Sequence, residues 1–158
     1  MKAILACDVN GGIGYQNKLP WDKIQGDLPR FKKLTDGGVV VMGRNTWDSL
    51  PMKPLPNRIN FIVTSQNSLF PKSCFTIPSL EHISNFKNAW LIGGAKLINS
   101  SWNLIHEVYL SRTYSQYTCD THIDLVQLEK DFRCVSLETC IDHTFEIWRR
   151  HEDLPRTV

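Results

Sequence analysis

The residues best placed to do chemistry are one aspartate and three glycine clusters. Asp27 heads a segment in which Leu28, Phe31 and Thr35 follow at helical intervals, shortly after Leu19-Pro20-Trp21. A carboxylate turned toward such apolar neighbours loses hydration, which favours holding a proton or a hydrogen-bonded cationic ring near neutral pH. On this segment alone the plainer reading is a first-turn acid that complements the helix dipole. The glycine clusters are Gly11-Gly12-Ile13-Gly14, Met42-Gly43-Arg44-Asn45-Thr46 and Ile92-Gly93-Gly94-Ala95-Lys96. Each is read as a strand-to-helix junction, where unsatisfied N–H groups and close backbone approach suit a phosphate. Arg44 and Lys96 follow two of them, which would suit a doubly charged dinucleotide. None is a GxGxxG fingerprint or a Walker loop, so each cluster taken singly reads more readily as a turn.

These residues need elements to hold them. Short apolar runs at Ile4 to Cys7, Val39 to Met42, Ile59 to Val63, Trp90 to Ile92 and Val108 to Leu110 suit strands buried on both faces. Helical spacing lies between them. It runs from Asp27 to a stop at Gly37-Gly38, over Thr46 to Leu50, from Pro78-Ser79 with Leu80, Ile83 and Phe86 on one face, and over Ala95 to Leu104. Cys134 to Thr139 and Thr144 to Arg149 read as a terminal hairpin, with a loose tail from Glu152. The pattern predicts an α/β fold: a mostly parallel central sheet flanked by helices, with an antiparallel C-terminal edge hairpin.

Composition narrows the partners. The 158 residues suit one domain, able to bury roughly 70% of its unfolded surface without a disulfide or metal. Net charge is +2 with acids and bases interspersed, which marks neither nucleic acid nor membrane as a partner. Five cysteines, an odd number with no CxxC pair, favour reduced thiols. The apolar run after Met1 is too short for a signal peptide or a membrane span. The expectation is a cytoplasmic protein, and nothing in the sequence demands more than a monomer. The Cys119-Asp120-Thr121-His122 and Cys140-Ile141-Asp142-His143 segments have no second pair at zinc spacing, so no metal is expected.

Taken in order, the segments resemble the dihydrofolate reductase family. The resemblance rests on Gly12-Ile13-Gly14, Leu19-Pro20-Trp21, Asp27-Leu28-x-x-Phe31-Lys32, the stretch from Val41 to Leu50, Leu55-Pro56-Asn57-Arg58, Ile92-Gly93-Gly94, Val108 to Ser111, Cys119 to His122, and Phe145-Glu146-Ile147. It spans about Ile4 to Arg149. Each motif is weak alone; the ordered set is specific.

The resemblance implies reduction of 7,8-dihydrofolate to tetrahydrofolate by hydride from NADPH to C6. It makes Asp27 a buried catalytic carboxylate that binds the pterin amino group and N3 and promotes protonation of N5 through water. Trp21 and Leu19 complete the catalytic set, although Trp21 also reads as a core aromatic. Ile4, Leu28, Phe31 and Leu50 would wall the substrate, with Ser111 supporting Asp27. Arg58 would pair with the α-carboxylate of the glutamate tail, a task for arginine's planar fork. Lys32 and Lys53 would add attraction to that tail, or be solvated lysines.

For the cofactor, the resemblance places Ala6 and Ile13 at the nicotinamide, under a closing loop from Gly14 through Asn17 to Lys18. It assigns Gly43, Asn45, Thr46, Gly93, Gly94, Ala95 and Leu97 to the pyrophosphate. Arg44, Thr64, Ser65 and Lys96 fall to the 2′-phosphate end. Leu19, Asn45, Lys96, Ile98 and Ser111 stand where methionine, a basic residue or serine, arginine, tyrosine and threonine are common. None of these departures removes the acid or the glycines. Two other readings share the pattern: a same-fold reductase of another heterocycle, against which Arg58 argues, and a folate- or nucleotide-binding structural protein.

Overall fold

A computed structural model describes residues 1–66 and 70–156. Its centre is an eight-stranded sheet in the order β5-β4-β3-β6-β1-β7-β10-β9. Six strands run parallel: β1 (Lys2–Cys7), β3 (Val39–Gly43), β4 (Ile59–Val63), β5 (Phe75–Ile77), β6 (Ala89–Leu91) and β7 (Glu107–Thr113). The last two, β9 (Phe132–Thr139) and β10 (His143–Arg150), pair antiparallel at one edge. The mostly parallel sheet and the C-terminal hairpin are as the sequence predicts.

The alternation of each strand divides the apolar runs between two cores. Ile4, Val40, Met42, Ile62 and Trp90 pack on one face, beneath Phe31 and Leu34 of α1 (Asp27–Thr35) and Trp47 of α2 (Arg44–Ser49). Ala3, Cys7, Val41, Leu91, Val108 and Leu110 pack on the other, against Ile98 of α3 (Ala95–Asn99) and Leu128 of α4 (Leu125–Asp131). Apart from the buried Asn60 of β4, their runs contain no polar break, because both faces are covered. Ile98, which stands at the common tyrosine position, is fully buried in this second core.

Four local expectations are corrected. Gly11 to Gly14 does not lead into a helix. The Asp8 carboxylate accepts the N–H groups of Asn10 and Gly12, each at 2.8 Å, and the chain turns back into β2 (Gly12–Gly14). That short strand pairs with β8 (Thr121–His122). Gly12 is required there, since a Cβ would lie 2.4 Å from Cys119 Sγ. After Pro78, only Leu80–His82 forms a 3-10 turn; Leu80 and Ile83 are buried but Phe86 is exposed. Asn85 and Asn88 fall where a longer helix would continue, and such side chains compete for backbone groups. The helix from Ala95 ends at Asn99, where the Ser100 hydroxyl donates to the Leu97 carbonyl at 3.1 Å, and a 3-10 turn follows at Trp102–Leu104. Finally, the chain after β10 is tied at first. His151–Asp153 forms a 3-10 turn, with Asp153 Oδ2 3.0 Å from His106 Nδ1.

Helix α4 was not predicted, yet it carries a readable start. The Asp124 side chain accepts from the Gln127 N–H at 3.0 Å, which satisfies a first-turn donor. Among the described residues, no helix is long and apolar enough to cross a membrane.

Candidate active site

The parallel strands all end at one edge of the sheet, and the sequence-predicted residues gather along it. Gly43 ends β3 and Gly94 follows β6, which lies beside β3. The Gly43 N–H donates to the Gly93 carbonyl at 2.9 Å, joining the two junctions. Neither Gly43 nor Gly94 offers a side chain to cap the helix it precedes. The first-turn N–H groups of α2 and α3 therefore have no side-chain acceptor at their caps. At Gly93 φ is +143°, and a Cβ would sit 2.9 Å from Thr46 Oγ1. Gly93→Ala is therefore expected to cost about 1–3 kcal/mol, read as a lowered Tm in thermal unfolding.

This double cradle suits a pyrophosphate, by the donor chemistry of its amides. Arg44, at the start of α2, donates to Gln66 Oε1 at 3.1 Å and lies 3.6 Å from Asp48. That draws the loop of Thr64 and Ser65 to its side. Lys96 is exposed in the first turn of α3, next to Ala95 and Leu97. Asn45 is exposed and Thr46 half-buried on α2.

Asp27 stands farther along the same edge. Gly26, at φ +83°, turns the chain into α1, so its first residue sits at the rim of the sheet. Asp27 is consequently half-buried, not buried as expected. Ser111 of β7 donates its hydroxyl to Asp27 Oδ1 at 2.6 Å. Ser111 is in register with Ala6 of β1 and Phe145 of β10. Ile4, Phe31 and Leu50 line the same face, whereas Leu28 is 71% exposed.

The most buried carboxylates are elsewhere. Asp8, 1% exposed, accepts three backbone N–H groups, including that of Tyr117 at 2.9 Å. Burial opposes its ionisation, but those three bonds together hold the carboxyl below its usual range. Glu146 accepts from Arg112, Thr144 and Trp148. Both are committed to internal partners, so burial alone does not pick out the reactive acid.

The tail-binding candidates divide. Arg58 donates Nε to the Pro56 carbonyl at 2.8 Å and Nη1 to Thr35 Oγ1 at 3.1 Å, over the Phe31 ring. Desolvation lowers its pKa from the ordinary arginine value, with Asp36 opposing. Its fork is thus held rigidly beside the Phe31 wall. Lys53 instead donates to the carbonyls of Trp47 and Asp48, both at 3.2 Å, and caps the end of α2. Lys32 is exposed on α1.

The loop after β2 closes on itself. Tyr15 and Lys18 exchange backbone bonds of 2.9 and 3.0 Å around Gln16 and Asn17, both at positive φ. It is pinned outward as well. Gln16 N–H donates to Asp120 Oδ2 at 2.9 Å, and Asp120 N–H to the Gly14 carbonyl at 2.9 Å. The Gln16 amide, then the Thr121 hydroxyl, hold the Asp120 carboxyl below its usual range. Ile13 is half-buried at the loop's root. Leu19 is 65% exposed, while Trp21 is buried edge-on to Tyr117 at 5.8 Å.

Sequence reasoning missed a second group beside Asp27. Arg30 Nη1 lies 3.3 Å from Ser111 Oγ and 3.0 Å from His143 Nε2. Arg30 follows Asp27 by three residues, so the two share a helix face. That spacing was a usable signal.

A glycine-led cradle and a rim carboxylate at the same strand edge are the build of a nucleotide-dependent oxidoreductase, and the comparisons with known proteins agree. A family model described as dihydrofolate reductase matches residues 1–150. The bifunctional dihydrofolate reductase-thymidylate synthase of Paramecium tetraurelia is 41% identical over 128 residues, 77% of this chain and 27% of that longer protein. Dihydrofolate reductase type 8 of Escherichia coli is 35% identical over 164 residues, covering 96% of each chain. The solved structure of dihydrofolate reductase from Enterococcus faecalis, complexed with NADP(H) and RAB-propyl, matches with a TM-score of 0.80 at 26% identity, over 96% of each chain. The chain belongs to the dihydrofolate reductase family.

Proposed function

We propose that this chain reduces 7,8-dihydrofolate to tetrahydrofolate by hydride transfer to C6, with Asp27 assisting protonation of N5. As a member of its family it is an NADPH-dependent reductase. The observation that carries the proposal is the Asp27 carboxylate, fixed by Ser111 at 2.6 Å on the rim of the face that Ile4, Phe31 and Leu50 line. A flat ring with an amino group beside a ring N–H fits that setting. Apolar side chains would cover its faces, and the carboxylate would take both donors. NADPH, when bound, supplies the hydride.

The chain's own residues divide the remaining work. Asp27 would hold the pterin's amino group and N3, and favour a proton arriving at N5 through water. Trp21 and Leu19 would bound that water's access. Ile4, Leu28, Phe31 and Leu50 would wall the substrate, and Arg58 would clamp the tail carboxylate. Lys32 is left with weak attraction to the tail; Lys53 would act there only through the end of α2 that it caps. Ala6 and Ile13 would face the nicotinamide end. Gly14, Asn17 and Lys18, in the loop that Asp120 pins, would exclude water from it. Gly43, Asn45, Thr46, Gly93, Gly94, Ala95 and Leu97 would hold the pyrophosphate, and Arg44, Thr64, Ser65 and Lys96 the 2′-phosphate. The proposal also makes the protein a cytoplasmic monomer, one domain over residues 1–158; its five free cysteines support a reducing compartment.

Loss of the nicotinamide absorbance on mixing purified protein, NADPH and dihydrofolate tests the reaction. Absence of turnover with NADPH binding intact would refute it. Cofactor choice is tested separately. Arg44→Ala is expected to lower the preference for NADPH over NADH about tenfold, the worth of one partly shared charge-assisted bond. The ratio of kcat/KM for the two cofactors measures it.

A further inference from the structure

Arg30 occupies an unusual setting for a guanidinium. It is half-buried, with its carbon 4.2 Å from the centre of the Phe145 ring. Among the described residues it makes no direct ion pair. Its partners are Ser111 Oγ at 3.3 Å, His143 Nε2 at 3.0 Å and Cys140 Sγ at 3.6 Å, all formally neutral groups. The two negative charges it serves lie one step further out. Asp27 is reached through Ser111, and Asp142 through His143, whose Nδ1 is 2.7 Å from Asp142 Oδ1.

The directions of these bonds follow from what each group can donate. Arginine has no acceptor, so it donates to both Ser111 Oγ and His143 Nε2. His143 Nε2 therefore carries no proton, and the Nδ1–H donates to Asp142. His143 is fully buried, and its backbone carbonyl accepts from the Tyr114 hydroxyl at 2.9 Å. Asp142 is in turn fixed by the Gln25 N–H at 2.9 Å. At the other end, Ser111 Oγ accepts from Arg30, and its own proton goes to Asp27 Oδ1. The charged and titratable groups facing Arg30 are Asp27 on α1, Cys140 and Asp142 in the turn between β9 and β10, and His143 at the start of β10; β7 presents the Ser111 hydroxyl.

We propose that Arg30, held by His143 and Asp142, is a positioning residue that turns the Ser111 hydroxyl toward Asp27 and so fixes the carboxylate for the reaction. This rests on the reading of Asp27 given above. The relay acts on the carboxylate in two ways that add. A cation stands one hydroxyl away, and the Arg30 N–H aimed at Oγ keeps the hydroxyl proton from pointing toward α1's guanidinium, which favours its lying on Oδ1. Oδ2 has no donor among the described residues, which leaves it for the substrate.

The test is the hydride-transfer rate against pH, measured before steady state in variants that keep Asp27. Arg30→Met removes the charge and frees the hydroxyl, both of which let a proton persist at the site to higher pH. The midpoint of the profile is expected to move up by about one pH unit, and Arg30→Lys should restore at least half of that shift. His143→Leu, which removes the acceptor, should move it the same way by less. His143→Gln, whose amide oxygen can still accept from Arg30, should leave it near its original place. In an Asp27→Asn background, Arg30→Met should cause no further shift. A profile unmoved in both Arg30→Met and His143→Leu, with only Tm lowered, would overturn the proposal and leave Arg30 a packing residue. Should Asp27→Asn alone retain the full neutral rate, the reading of Asp27 fails, and this inference with it. A slow Asp27→Asn with unmoved Arg30 variants refutes the relay alone.

Discussion

Replacing Asp27 by asparagine should slow hydride transfer about 100- to 1,000-fold at neutral pH, within the range that positioned acid–base groups contribute. Asparagine keeps the shape and can still accept the Ser111 hydroxyl at the rim of the sheet. It cannot take both the amino group and the ring N–H of a pterin with one charged group, and it cannot favour a proton at N5. The remaining route is substrate protonated in solution. The variant's rate should therefore climb roughly tenfold for each unit of falling pH, as the fraction of protonated substrate does. The native enzyme's rate should flatten once its own site is protonated. Hydride-transfer rates between pH 5 and 8 in both proteins decide this. Equal neutral-pH rates would remove Asp27 from its role.

The second large effect concerns substrate binding. Arg58→Leu should raise KM for dihydrofolate about 10- to 100-fold, the worth of about 1.5–3 kcal/mol for hydrogen bonds to a charged group. Because the glutamate tail is far from the reacting carbon, kcat should change little. A dihydropteridine without the tail should be turned over equally by native and variant enzyme. Arg58→Lys should recover only part of the loss, since lysine cannot reproduce the planar fork that Pro56 and Thr35 orient. The variant also loses those two internal bonds, so Tm is measured alongside. A kcat that fell as far as KM rose would contradict the assignment of Arg58 to the tail.

Much of the fold was legible because its strands are short and buried on both faces. Val39 to Met42 reads as a strand from its branched residues alone, and the sheet divides it between the two cores. What was not legible depended on side chains meeting across long sequence distances. Gly11 to Gly14 reads as a helix start until the Asp8 carboxylate is seen to take its amides and Cys119 to crowd Gly12. The helix predicted from Pro78 contained the right buried pair, Leu80 and Ile83, but not the length. At the site, the ordered motifs brought Asp27 and Ser111 together across 84 residues. Spacing alone had left Asp27 readable as a helix-start acid. Arg30 stands in no motif position with a known task, and His143 reads from its spacing only as a metal-capable residue without a second pair; their relation appears only when β10 is laid against β7 and α1. Burial misled in one respect. It pointed to a hidden acid, and the hidden acids are Asp8 and Glu146, both spent on internal bonds.

The most direct test of the account follows the transferred atom. The purified chain is given dihydrofolate and NADPH carrying deuterium at the transferable position of the nicotinamide, and the product is read by NMR. The account predicts one deuterium at C6 of tetrahydrofolate. Deuterium at another ring carbon, or reduced product without deuterium, would contradict it.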